Sequence, residues 1–225
     1  YRCCFWFWFS RHHLCLALDL HARGVTAVLA FLIACNLSLS DSGDLFLGRV
    51  FPMDSEYRMN QGQSIGTHNS YHIAPESELI SEWNYSHEPL DVQLDLGLRQ
   101  FEIDILKDPE SEDIVVMHVP YVDDASTCET LADCASVLAQ WSVDHPWHFP
   151  VQILVEPKDE LTSWSVAGEW ETVEAIFHAE LGEKVITPLE VRGTSESLRE
   201  AILEEGWPTL ETARGRFLLV LLDSG

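Results

Sequence analysis

The chain has 225 residues, 46% of them hydrophobic, which suits one large domain or two small ones without choosing between them. Its 37 acidic and 13 basic residues give a formal net charge of −24. This argues against nucleic acid as a partner, which needs clustered Lys and Arg, and against general attraction to anionic lipid. An acidic groove with an affinity for cations fits, a solvated acidic surface being the plainer alternative.

Residues 1–60 differ from the rest. Tyr1 to Phe9 is aromatic and Cys-rich, and the first Met is Met53. Val25 to Ala34 is apolar apart from Thr26, with Arg23 before it and Cys35 after it. Such a run is too short to span a bilayer and matches the core of a signal peptide. Leu32-Ile33-Ala34-Cys35 resembles the cleavage box of bacterial lipoproteins, in which the Cys is lipidated. The expectation is a leader over 1–60 that directs export, with Cys35 as the lipidated residue and a folded part over 61–225. A translated upstream region or a disordered leader is the alternative. After residue 35 the chain holds 36 acidic and 10 basic residues, a net of −26.

The folded part opens on Ile65-Gly66-Thr67-His68-Asn69-Ser70-Tyr71, a strand end in which Gly66 permits a close backbone approach. Consecutive residues of a strand point to opposite faces. For His68 and Asn69 to reach one site, the strand must end near Thr67, leaving Ser70 and Tyr71 to begin a loop over the pocket. A helix then starts at Ser86-His87-Glu88-Pro89, with Pro in its first turn, apolar positions Leu90, Leu94 and Leu98, and a stop at Gly97.

Gln100–Leu106 alternates strictly, so Phe101, Ile103 and Ile105 share one face and Glu102 and Asp104 the other. Ile114 to His118 reads as a buried strand with a His at its end. Seven residues, Lys107 to Asp113, separate these strands and are too few for a crossover helix. Fully extended they span about 23 Å, so either a helix-less parallel crossover, the preferred reading, or a hairpin is open.

Two caps compete for the next helix. With Ser126 as cap, Cys128 and Cys134 are both helical and about 9 Å apart along the axis, beyond disulfide reach. With Thr130 as cap and Asp133 completing a box, Cys128 folds back on the first turn. Export favours the second arrangement and a local Cys128–Cys134 disulfide. Val151–Lys158 is a further strand, with Glu156 and Lys158 on one face. Helices follow around Trp170–Leu181, closed by Gly182, and from a cap near Ser195 to Gly206. Arg216–Leu222 is the last strand. Alternating strands and helices indicate a parallel α/β fold. About five strands are too few for an eight-stranded (β/α) barrel, so either the sheet is open or the chain is a fragment of a barrel, and an end three residues after a strongly apolar strand suggests the fragment.

Polar groups recur at successive strand ends: His68 and Asn69, Glu102 and Asp104, His118, Glu156 and Lys158. Glu102, Asp104 and Glu156 with the Asn69 carbonyl make an all-oxygen set suited to calcium or magnesium. Two histidines beside such a metal can serve as general base and general acid. Each residue has a plainer role open to it, such as a solvated strand edge, a strand-ending His, or a surface ion pair for Glu156 and Lys158.

The motifs THNSY, FEID, VVMH and LVEPK, in this order, resemble the calcium-dependent phosphatidylinositol-specific phospholipase C family. That family belongs to a wider superfamily of phosphodiesterase TIM barrels. YSHEPLDVQLDLGLRQ, Cys128 with Cys134, and GWPTL…RGRFLLVLLD are similar to its bacterial branch. The resemblance implies His68 and His118 as the acid/base pair, Asn69, Glu102, Asp104 and Glu156 as Ca2+ ligands, and Lys158 near the substrate phosphate. It further implies a monomer that cleaves phospholipid at a membrane surface, secreted or lipid-anchored. A glycerophosphodiesterase, which carries His-Arg where this chain has His68-Asn69, and a non-catalytic lipid-binding module are the competing readings.

Overall fold

The computed structural model describes residues 51–76, 80–158 and 163–222. The alternating run forms β1 (Gln100–Lys107), with Phe101, Ile103 and Ile105 buried on one face and Glu102 and Asp104 buried on the other. β2 (Ile114–Val116) pairs antiparallel with the end of β1, from Ile105–Val116 to Lys107–Ile114. β3 (Val151–Pro157) runs parallel along the opposite edge of β1, and β4 (Phe217–Leu221) runs parallel to β3. The sheet order is β2-β1-β3-β4.

Two expectations are corrected here. Lys107 to Asp113 turns a hairpin, not a helix-less crossover, because Asp108 satisfies the turn by itself. Its carboxylate accepts from Glu110 N at 2.9 Å and Ser111 Oγ at 3.0 Å, its N–H donates to Asp113 O at 2.9 Å, and Glu112 takes φ 67°. The opening segment is a bridge, not a full strand, so the described sheet has four strands where five were expected. Gly66 bridges Gln100 in parallel, and Thr67 N and Ser70 N donate to Gln100 O and Glu102 O at 3.2 and 2.9 Å. The opening segment and β2 thus divide one edge of β1 between them.

Among the helices, α1 (Leu90–Asp95) begins just after Pro89, one residue later than a proline in the first turn implies, and Gly97 ends it with φ 96°. α2 (Leu131–Asp144) starts from the Thr130–Asp133 box, with Thr130 Oγ1 accepting from Asp133 N at 3.1 Å and Asp133 Oδ2 accepting from Thr130 N at 3.1 Å. That cap leaves Cys128 outside the helix, and it forms a disulfide with Cys134 across a Cα–Cα distance of 5.1 Å. α3 (Trp170–Leu181) buries Val173, Phe177 and Leu181. Two short helices, α4 (Pro188–Arg192) and α6 (Leu210–Ala213), flank α5 (Leu198–Glu204), which starts from Ser197.

Leu131 and Leu138 of α2 and Phe177 of α3 join the β1 side chains, Ile153 and Phe217 in one core, each burial contributing roughly 1.5–3 kcal/mol. The folded part begins earlier than residue 61. Arg214 donates to Asp54 through both Nε and Nη2 and stacks 3.9 Å over Phe51, while Met59 N donates to Pro208 O at 2.9 Å. Residues 1–50, with the signal-like run and Cys35, lie outside the described residues. No helix among the described residues is long and apolar enough to cross a membrane.

At the far end of the sheet from the strand C-termini, His148 Nδ1 donates to Phe149 O at 2.7 Å and Nε2 accepts from buried Ser142 Oγ at 2.9 Å. Burial pushes the His148 pKa down to about 4. The folded chain therefore favours the neutral ring, and the unfolded chain takes up the extra proton first. Stability from this group is complete above the ordinary histidine pKa near 6.5 and falls as pH drops toward about 4, by up to about 3 kcal/mol. Urea unfolding across that window should show the loss, with a shallower decline in H148Q.

Candidate functional site

Parallel register sets Asp104 of β1 directly beside Glu156 of β3, and in-register neighbours share a face. Glu102, two residues back, shares it too. Ligand oxygens of the three carboxylates all lie within 4.8 Å of one another. Lys158 supplies the nearby positive charge, its Nζ 3.0 Å from Asp104 Oδ2 and 2.9 Å from Glu156 Oε2. Burial, then the Asp104 charge, raises the Glu102 pKa to about 7. Burial also raises that of Asp104 against the opposing pull of Lys158. Glu156 is shifted up by burial but further down by Lys158, and so ends below its ordinary value. One ammonium does not balance three carboxylates held this close, so the cluster favours a further cation.

Asn69 reaches the same end of the sheet because the chain turns sharply after Gly66. A Cβ at Gly66 would sit 2.7 Å from Gln100 Cβ and 2.9 Å from Gln100 O, so glycine is required at this contact. Asn69 then takes φ 46°, a left-handed conformation that Asn tolerates. It is buried, its Nδ2 donates to Tyr85 Oη at 3.3 Å, and its Oδ1 has no hydrogen-bond partner. His68, by contrast, has a side chain 73% exposed, with Nε2 3.9 Å from Glu102 Oε1. The turn itself agrees with the sequence expectation, but Ser70 and Tyr71 do not begin a loop over a pocket. Both are fully buried. Ser70 Oγ accepts from Glu102 N at 2.9 Å and donates to Thr67 O at 3.0 Å, which pins the turn beneath β1. Tyr71 lies against Asp104, and burial followed by that carboxylate raises its pKa.

His118 lies two residues beyond β2, its Nδ1 2.8 Å from Asp123 Oδ2. The other oxygen of Asp123 is 2.8 Å from His72 Nε2, and His72 Nδ1 donates to Tyr85 O at 2.9 Å. The His72 ring also stacks on Tyr85 at 4.4 Å. His87 Nε2 donates to His68 O at 3.0 Å, and burial lowers its pKa. His72, Tyr85, His87 and Asp123 carried no periodic or spacing signal, since only the folded chain brings residues up to 51 positions apart into contact.

The family model for Ca2+-dependent phosphoinositide phospholipase C matches residues 57–114 and 110–225. The chain belongs to this family. Among solved structures, it is similar to the calcium-dependent phosphoinositol-specific phospholipase C of a Pseudomonas species, with 20% identity and a TM-score of 0.56 over 77% of this chain and 60% of that one. It is likewise similar to the Ca2+-dependent phosphatidylinositol-specific phospholipase C of Streptomyces antibioticus, with 24% identity and a TM-score of 0.54 over 70% and 51%. A myoinositol complex of the Pseudomonas enzyme matches at 19% identity and a TM-score of 0.55. At these identities the likeness establishes a shared fold, and the chain spans about half to three-fifths of those structures. No curated protein matches it.

This phospholipase C family is calcium-dependent, and its cofactor is calcium. The residues present fit that ion: three carboxylates converge as hard oxygen donors with excess negative charge, and the carbonyl oxygen of Asn69 is buried without a partner. The close contact at Gly66 is decisive for Asn69. G66A should lower stability by about 1–3 kcal/mol through the forced shift against Gln100. It should also weaken calcium binding, both measurable by thermal unfolding with and without the ion.

Proposed function

We propose that this chain is the N-terminal part of an incomplete phosphodiesterase barrel, exported from the cell, that cleaves phosphatidylinositol-type phospholipid at a membrane surface. The products are diacylglycerol and a cyclic inositol phosphate, which water then opens. The observation that carries this reading is the convergence of Glu102, Asp104 and Glu156 within 4.8 Å at one end of a sheet in a chain of this family. With Asn69 they are the residues that would hold calcium. When bound, the ion supplies Lewis-acid chemistry, lowering the pKa of the inositol 2-hydroxyl and neutralising charge on the phosphate.

His68 and His118 then exchange the protons. One accepts the proton of the 2-hydroxyl as that oxygen attacks phosphorus, and the other donates to the departing diacylglycerol oxygen. The open position of His68 suits contact with a bulky lipid substrate, and the anchored ring of His118 suits a fixed direction of transfer. Lys158 would meet the substrate phosphate by leaving one of its two carboxylates once other positive charge balances them. The Cys128–Cys134 disulfide supports an oxidising compartment and thus export, secreted or anchored through Cys35. The myoinositol bound by the Pseudomonas relative supports an inositol head group.

Phosphatidylinositol turnover in mixed micelles, with calcium and with a chelator, tests the reading. Chelation should abolish turnover, and H68A and H118A should each lower kcat by about 10²–10⁴-fold. Calcium should raise the unfolding temperature of the native chain but not of D104N. Undiminished turnover in the chelator would overturn the calcium role.

A further inference from the structure

Asp123 is among the most thoroughly buried charged groups of the described chain, its side chain 0% exposed, and each of its oxygens is spoken for. Oδ2 lies 2.8 Å from His118 Nδ1 and Oδ1 lies 2.8 Å from His72 Nε2. A carboxylate only accepts, so the proton on His118 belongs on Nδ1 and Nε2 is left as the atom that can take up or release a proton. On the other side, His72 Nδ1 faces the Tyr85 carbonyl at 2.9 Å, which also only accepts. Both nitrogens of His72 therefore face oxygen acceptors, and the His72–Asp123 couple is buried on both sides. Asp123 cannot swing away from His118 without stranding that couple.

The backbone adds to this hold. Val119 and Asp123 exchange N–H···O bonds, both at 2.9 Å, so the chain from His118 to Asp123 is a closed turn. Thr127 N donates to Tyr71 O at 2.8 Å and Ile73 N to Ala125 O at 3.2 Å, tying the loop to the segment that carries His72. The ring of Trp83 stands edge-on to His118 at 5.1 Å and restricts its rotation.

We propose that Asp123, anchored by His72, is the positioning residue that holds His118 in the Nδ1–H tautomer and leaves Nε2 for proton transfer. The catalytic consequence rests on the reading of His118 given above, whereas the tautomer itself does not.

The full chain with calcium, assayed on phosphatidylinositol in mixed micelles, separates this role from simple structural support. D123A should lower kcat by about 100-fold or more with little change in KM. The D123A/H118A double variant should be no slower than H118A, because Asp123 acts through that ring. Losses that multiply in the double variant would overturn the proposal. Nitrogen-15 spectra of ring-labelled protein should place the His118 proton on Nδ1 in the native chain and show both tautomers in D123A. If D123A does not fold, the native spectrum decides, and a proton on Nε2 overturns the assignment. If the native chain turns over no phosphatidylinositol, the catalytic reading fails while the spectrum still tests Asp123.

Discussion

Glu102 and Asp104 occupy successive positions on one face of the central strand, and both are buried. A carboxylate in that position costs stability unless something offsets its charge. Here the same register that stabilises the sheet places Glu156 opposite Asp104 and so concentrates the problem. Lys158 offsets part of it, while burial and then the Asp104 charge still raise the Glu102 pKa. The rest of this end of the molecule follows from that excess of negative charge. It needs a cation, and it needs neutral donors and carbonyls around it, not more acid.

The opening turn answers the second requirement. Thr67 Oγ1 lies 2.8 Å from both Ser70 Oγ and Gln93 Oε1, and Gln93 Nε2 donates to Ser70 O at 2.7 Å. These uncharged bonds join the turn to α1 and to β1, and the carbonyl oxygen of Asn69 is buried without a partner. Tyr85 then links Asn69 to His72, and His72 to Asp123. The proposed metal side and the proposed proton-transfer side thus share one hydrogen-bonded frame.

The loop that carries His118 and Asp123 is long, and loops of this kind are ordinarily the mobile parts of a fold. This one is closed at its far end by the Thr130 cap of α2 and by the disulfide from Cys128 into the helix. The covalent link sits at the end of the loop that carries His118 and Asp123 and not at the far end of the sheet, so its constraint falls on that loop.

Much of this organisation is local and therefore legible in the chain itself. Alternation over Gln100–Leu106 determines which face bears carboxylates, because side-chain direction in a strand has period two. Gly66 signals a close approach, and the Thr130–Asp133 box sets where a helix begins. The match of four short motifs to one family points to the same carboxylates that the fold brings together. What remained undecided depends on contacts between distant segments. Whether Lys107–Asp113 crosses over or turns back has no periodic signature, and the side-chain bonds of Asp108 settle it. Ser70 and Tyr71 look like loop residues until Glu102 N and Asp104 are placed against them. His72 and Asp123 are an ordinary histidine and aspartate in the chain, and become a pair only when tertiary packing excludes water and leaves each as the other's partner.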